Sequence, residues 1–352
     1  MNSRESVHQL SINRKADHIN NASQAQIKST VKKNTFSYEP LFATHQTHPK
    51  MQRSFLGKTL RAPLWISSMT GGSLKENDDV LLINQNLALL TREFGLGMGL
   101  GSIRPLLDHP KDEKIQKQFL LRDIIGDDRP FFANLGIFQL EEQLKIDRGE
   151  KLHQILDFLR VDGLFIHINP LQEFYQPEGD MFKTSPLAIL QDYMPLKKYP
   201  IFIKEVGQGM GKKSLQALMD MQVDGIEFAS FGGTSFSRIE QLRREKDRAN
   251  DGEKYPYALH EIGHTATEMN QFLNEIIASN QAYRDLKMEV IVSGGMNHLV
   301  SAYELMESCP FPAIIGKAHD FIIHAKDKNQ LFNYTAQVIN ELNMCYQLLD
   351  HP

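Results

Sequence analysis

The chain has 352 residues, with 39 Lys and Arg against 43 Asp and Glu, a formal charge of −4, and 41% hydrophobic residues. This composition belongs to a folded protein and gives no general electrostatic reason to bind nucleic acid or an anionic membrane. Two cysteines, Cys309 and Cys345, exclude a disulfide framework and a four-thiolate zinc site.

The opening residues MNSRESVHQLSINRK lack the apolar stretch of a secretory signal. No uncharged apolar run reaches the roughly 18 residues that a membrane helix needs. A cytoplasmic location is the expectation. The first sixty residues are polar and irregular, and a regular rhythm begins at APLWISS. Candidate strands follow in order at Leu64–Ser68, Leu96–Leu100, Phe131–Leu135, Leu164–Ile168, Ile201–Glu205, Gly225–Ala229, Val290–Ser293 and Ala313–Gly316. Between them lie the helical patterns DDVLLINQNLALLTREF, LEEQLKIDRGEKLHQILDFLR, KKSLQALMDM and NHLVSAYELMES. Alternating strands and helices predict parallel βαβ units, and eight strands fit a (β/α)₈ TIM barrel over residues 61–352 behind an N-terminal extension, 1–60. A doubly wound open sheet is the competitor, weakened because no dinucleotide fingerprint follows the first strand.

The distinctive short motifs fall at or just after the candidate strands, where barrel enzymes carry their chemistry. Gly232-Gly233-Thr234 and Ser293-Gly294-Gly295, with Gly316-Lys317-Ala318, suit a phosphate pocket, although either glycine pair alone reads as an ordinary turn. Lys204 ends the apolar run IFIK, so it points into the barrel mouth or is paired there. It can meet a phosphate, a flavin edge or a carboxylate, with Glu205 and Glu227 as structural partners. HINPLQE gathers His167, Asn169, Gln172 and Glu173; Glu173 suits a hard cation such as Mg²⁺, and Gln172 acts only through hydrogen bonds. Arg14, Lys15 and His18 can clamp a diphosphate, but a basic triplet in a polar tail is ordinarily solvated surface. His260-Glu261-Ile262-Gly263-His264 matches the zinc-protease pattern. Thr265 to Glu268 reads as a capping box that leaves both histidines ahead of the helix, so the match is judged accidental. GLGMGLG, residues 95–101, reads as a tight strand approached by a ligand or a neighbouring backbone.

Taken together, RKADHI, SMTGG, NLG followed by QL, HINPLQE, QPEGD, KEVG, GGTS and SGG make the chain resemble the type 2 isopentenyl-diphosphate Δ-isomerases. These are flavoproteins with an FMN-binding barrel, and the likeness runs from Arg14 to about Phe321. The resemblance implies that Arg14 and Lys15 bind a prenyl diphosphate substrate, together with Gln172. It implies FMN contacts at Ser68, Met69, Thr70, Ser102, Asn134, Lys204 and Thr234. The flavin phosphate would lie against Gly294, Gly295 and Met296 and the backbone near Ala318 and His319. It further implies Gln172, His167 and Asn169 as catalytic residues, Glu173 as the Mg²⁺ ligand, NADPH as reductant, and a homo-oligomer.

Three departures from the family pattern stand out: Ile103 where a glutamine is usual, Lys317 and His319 in GKAHD, and Met296-Asn297 where an arginine is common. They leave open a divergent isomerase of another prenyl diphosphate. A second reading is an FMN-dependent dehydrogenase or oxidase of a small hydroxy acid. Ser293 stands where such enzymes place a histidine base, which counts against it. A third is a binding protein that kept the barrel and lost the cofactor; the intact HINPLQE and Lys204 speak against that.

Overall fold

The computed structural model describes residues 21–22, 24–25, 36–44, 46–68, 78–176, 183–247, 258–296 and 298–350. The chain divides into two compact units, Met1–Phe36 and Ser37–Pro352. The second unit holds the barrel and also takes in residues 37–60, which sequence alone assigned to the extension.

Eight parallel strands form the barrel: β1 (Leu64–Ile66), β2 (Gly97–Ser102), β3 (Phe131–Gly136), β4 (Gly163–His167), β5 (Ile201–Lys204), β6 (Gly225–Glu227), β7 (Glu289–Val292) and β8 (Ala313–Lys317). Each pairs with its neighbour in sequence, and β8 returns to β1 with Gly316 opposite Trp65. That last pairing closes the sheet and removes both edges, which decides against the open-sheet alternative. The eight candidate strands match the eight observed ones, with ends differing by a residue or two.

The bore is packed with rings. Trp65, Phe132, Phe165 and Phe202 point inward with Ile291 and Ile314, all at most 2% exposed. A short hairpin of Arg53–Phe55 and Lys58–Leu60 adds Phe55 and Leu60 to the same cluster. The rings meet edge to face, with centroids 5.4 Å apart for Trp65–Phe132 and 5.2 Å for Phe132–Phe202, the geometry that the ring quadrupole favours. Their space comes from glycines on adjacent strands. A Cβ on Gly97 would lie 2.2 Å from Trp65, one on Gly163 2.4 Å from Phe132, and one on Gly225 2.2 Å from Phe202. The alternating glycines of residues 95–101 therefore admit neighbouring side chains.

The helix Asp78–Phe94 spans the predicted segment. The segment read as one helix over residues 140–160 is two, Ile137–Asp147 and Glu150–Leu159. Arg148 and Gly149 between them are both left-handed, at φ 59° and 87°, and the Asp147 carboxylate accepts from the N–H groups of Gly149 and Lys151. A left-handed pair ends a helix, because its carbonyls no longer line up with the next turn. Among the described residues no helix is long and apolar enough to cross a membrane.

Candidate active site

The C-terminal ends of all eight strands open on a cavity of about 520 Å³. Its wall includes Ser68, Ser102, Asn134, His167, Gln172, Lys204, Thr234, Gly294, Gly295, Met296, Ala318 and His319, all twelve of them expected site residues. Asn169 and Glu173 are not among the lining residues but are hydrogen-bonded to one that is, Gln172, or to each other. Asn169 is buried and donates through Nδ2 to Glu173 at 2.8 Å and to Gln172 at 3.2 Å. Arg14, Lys15, Met69 and Thr70 lie outside the described residues.

Barrel register explains the central row. His167 on β4 is paired with Lys204 on β5, and Lys204 with Glu227 on β6. Residues in register on neighbouring strands share a face of the sheet, so imidazole, ammonium and carboxylate line up across the mouth. Lys204 Nζ lies 3.6 Å from Glu227 Oε2, and their side chains are 7% and 1% exposed. Of the two carboxylates considered as partners for Lys204, the buried ion pair is therefore with Glu227. The lysine stem runs over Phe165, with Nζ 5.6 Å from the ring centroid.

His167 Nδ1 lies 3.0 Å from Asn134 Oδ1. Desolvation and the Lys204 charge push its pKa down to about 3, so the ring is neutral near pH 7 and Nδ1 donates to the amide oxygen. Gly136 permits this position, since a Cβ there would lie 2.9 Å from His167 Nε2. On β2, a register shift between Gly99 and Ser102 marks a bulge at the strand's exit, a common way of re-aiming a side chain at a site.

Two glycine pairs form the opposite wall. Gly232, Gly294 and Gly295 have φ of 113°, 85° and 65°, and a Cβ on Gly233 would lie 2.8 Å from the Gly295 nitrogen. Ser230 stitches the two loops: its N–H donates to Ser293 O at 3.0 Å and its Oγ to Gly294 O at 2.9 Å. Only side-chain-free backbone comes this close, and the result is a cradle of main-chain polar groups. Lys317, the last residue of β8, closes the cradle beside Met296, whose carbonyl it reaches at 3.2 Å.

Glu205, one residue past Lys204, is 7% exposed and accepts from the N–H groups of Val206 at 2.6 Å and Gln208 at 2.5 Å. Burial outweighs those bonds and pushes its pKa up from 4.5 to about 7. Its folded pKa is raised, so the protonated form stabilises the fold below about pH 4.5, and that contribution is lost as pH rises through 7. The difference corresponds to roughly 3 kcal/mol. Urea unfolding of flavin-free protein from pH 5 to pH 8 is expected to show Glu205→Gln losing about that much less stability than the wild type. Parallel curves would mean that Glu205 ionises as an ordinary carboxylate.

The structure also places two further motifs, and the histidines of the zinc-protease pattern stand ahead of the helix as expected. Ile103 is fully buried, and its N–H donates to Asn134 O at 2.8 Å; its side chain packs in the core and does not line the cavity. His260 and Glu261 sit in a single turn, Ala258–Glu261, and helix Ala266–Ser279 begins after His264 behind a capping box of Thr265 and Glu268. Among the described residues no group of three His, Cys, Asp or Glu is set to hold a metal ion. Sequence reasoning passed over Ser67, Ser230, Phe236 and Asp320, which also line the cavity. Asp320 is legible as the residue three past Lys317, and Ser67 and Ser230 lie just past the ends of β1 and β6.

Several residues suit a polar guest. Ser67 Oγ and Ser68 Oγ are buried without hydrogen-bond partners and belong to residues of the cavity wall. Buried polar atoms left this way need a ligand or water, and the volume lies within the usual range for small-molecule sites. Asn169 Oδ1 is likewise buried and unpartnered beside the Glu173 carboxylate, an oxygen set that suits a hard cation keeping most of its waters.

The closed parallel barrel with its cavity at the strand ends defines the chain as a (β/α)₈ barrel. The flavin-binding domain of baker's yeast flavocytochrome b2 matches it with a TM-score of 0.56 at 14% identity, covering 89% of this chain and 71% of that one. A mandelate oxidase variant carrying a monooxide FMN adduct matches with a TM-score of 0.51 at 10% identity, covering 88% and 81%. At such identities the likeness is one of fold. Sequence goes further: the isopentenyl-diphosphate delta-isomerase of Rickettsia rickettsii (strain Sheila Smith) is 35% identical over 248 residues, 68% of this chain and 68% of that protein. The enzyme of the same name from Rickettsia akari (strain Hartford) is 34% identical over the same share. The chain belongs to the isopentenyl-diphosphate delta-isomerase family, and its barrel accords with the resemblance to type 2. No family model matches the chain.

Proposed function

We propose that the protein interconverts isopentenyl and dimethylallyl diphosphate with FMN in the barrel mouth, Mg²⁺ at Glu173 and NADPH as reductant. The observation that carries this reading is the meeting in one cavity of the glycine cradle with the His167–Gln172–Lys204 wall, in a chain of this family. When bound, reduced FMN supplies an acid–base centre for adding and removing a proton. Ser68, Ser102, Asn134, Lys204 and Thr234 hold its ring system. Gly294, Gly295 and Met296, with the backbone near Ala318 and His319, hold its phosphate.

The protein's own part is orientation and electrostatics. Lys204 supplies fixed positive charge at the floor of the site, partly offset by Glu227. Neutral His167 and Gln172 offer hydrogen bonds to the reacting end of the substrate without competing for its proton. Asn169 orients Gln172 and Glu173 through its Nδ2 hydrogen bonds. Glu173 with Mg²⁺ neutralises the diphosphate and fixes the alkene in position, a task that the family resemblance also assigns to Arg14 and Lys15. The hydroxy-acid reading needs a base ahead of Gly294. The Ser293 hydroxyl there accepts from the Ala229 N–H at 2.9 Å and donates to Glu227 at 3.3 Å, which leaves it no free base to offer.

Anaerobic incubation with FMN, NADPH, Mg²⁺ and isopentenyl diphosphate is expected to yield dimethylallyl diphosphate, identified by mass and retention. Absence of product, or flavin reduction by a hydroxy acid without NADPH, overturns the proposal. Glu173→Gln is expected to lower Mg²⁺-dependent turnover by at least the roughly tenfold that loss of even an outer-shell partner costs, with the bound-flavin absorbance retained. Unchanged turnover and metal dependence would remove Glu173 from the metal site.

A further inference from the structure

Lys317 is an ammonium in a place where backbone alone makes the rest of the cradle. It ends β8, its side chain is 11% exposed, and its Nζ lies 2.7 Å from Asp320 Oδ2 and 3.2 Å from the Met296 carbonyl. Asp320 is held from the other side by the Tyr334 hydroxyl, which donates to the same Oδ2 at 3.0 Å, and His319 Nδ1 stands 3.6 Å from Oδ1. Lys317, Asp320 and Met296 all line the mouth cavity with Gly294 and Gly295. A structural ion pair needs none of this placement: the pair could have faced solvent on the far side of the loop. Here the cation sits against the glycine loop of β7, and a tethered carboxylate holds its chain against the wall.

We infer that Lys317 is a specificity-determining residue that makes a charge-assisted contact to the flavin's phosphate, so that the site selects phosphorylated over unphosphorylated flavin. The inference rests on the flavin reading and goes beyond it. The glycine cradle offers only neutral N–H donors, whereas an ammonium distinguishes a dianionic phosphate from the neutral hydroxyl of riboflavin. Asp320 is then a positioning residue. It offsets the ammonium before the phosphate arrives and keeps Nζ from swinging out to water. Because it is an anion beside an anion site, its charge weakens phosphate binding while its tether to Tyr334 keeps the lysine in reach.

The test is titration of the full-length protein with FMN and with riboflavin, followed by quenching of flavin fluorescence, for wild type, Lys317→Met, Lys317→Arg and Asp320→Asn. For Lys317→Met the FMN dissociation constant is expected to rise by roughly tenfold or more, with riboflavin binding within about twofold of wild type. Lys317→Arg should recover part of the loss, and Asp320→Asn should bind FMN at least as tightly as wild type. The wild-type preference for FMN should shrink with added salt more than that of Lys317→Met. Riboflavin serves as the folding control: an equal loss for both flavins in Lys317→Met makes the pair merely structural and overturns the inference, as does no loss for either. A wild type that takes up neither flavin brings down the functional reading itself. A wild type that binds both flavins equally brings down only the role of Lys317.

Discussion

Replacing Lys204 by Met is expected to lower the unfolding free energy by about 3–5 kcal/mol, the usual cost of stranding one member of a buried ion pair. Glu227 is 1% exposed, and its Oε2 has no hydrogen-bond partner. Without the ammonium it keeps only the Ser293 hydroxyl, at 3.3 Å, and must either stay charged in the bore or take up a proton. The methionine stem still packs on Phe165, so the loss is electrostatic and not a cavity. Adding Glu227→Gln to Lys204→Met should therefore restore most of the stability, because both charges are then gone. It should restore none of the turnover, because the fixed positive charge at the floor is gone too. Urea unfolding and isomerase assays on the two singles and the double close a double-mutant cycle. A stable Lys204→Met protein, or a double variant no more stable than the single, would show that the pair is not what holds Glu227 in the bore.

Much of this site is legible in the sequence. The strands announce themselves as short apolar runs, such as Phe131–Leu135 and Ile201–Glu205, bounded by Pro, Gly or Asp. The helix Asp78–Phe94 has an unbroken amphipathic period with no glycine. Because the chemistry of a barrel gathers at strand ends, locating the strands also brings twelve expected residues to one cavity. What stays hidden depends on contacts far apart in sequence. Whether Lys204 meets Glu205 or Glu227 is decided by inter-strand register. Glu205 is the nearer in sequence, yet its carboxylate turns to the backbone of the next loop. The hairpin over residues 53–60 carries only RSFLGKTL, too short and polar to claim a place in a core, and Phe55 and Leu60 become core residues only because the barrel offers them its end. At Arg148 the left-handed break requires the neighbouring glycine to be read as a helix end and not as a tolerated interior residue.

The glycine cradle makes the second large prediction. A Cβ on Gly294 would lie 2.2 Å from the Ser230 nitrogen, 2.3 Å from its carbonyl oxygen and 2.8 Å from the Ala229 carbonyl carbon. All three are backbone atoms, so no rotamer change relieves the clash, and φ of 85° adds strain of its own. Gly294→Ala must push the loop after β6 away from the loop after β7 and break the Ser230 bonds to Ser293 and Gly294. A stability loss of about 2–4 kcal/mol is expected, from overpacking plus backbone strain, and FMN affinity should fall by at least roughly tenfold. Two other glycines separate the contributions. Gly57 has φ of 76° but nothing within 4 Å of its Cβ position, so Gly57→Ala pays only for the backbone, about 1 kcal/mol, and leaves flavin binding alone. Gly232 has φ of 113° with its nearest neighbour, Gly295 Cα, at 3.5 Å, so Gly232→Ala should fall between the two. The order Gly57, Gly232, Gly294, measured by thermal unfolding and flavin titration on the same preparations, follows from how closely the two loops approach. If Gly294→Ala were no worse than Gly57→Ala, the loops after β6 and β7 would not meet in solution, and the cradle would have no walls.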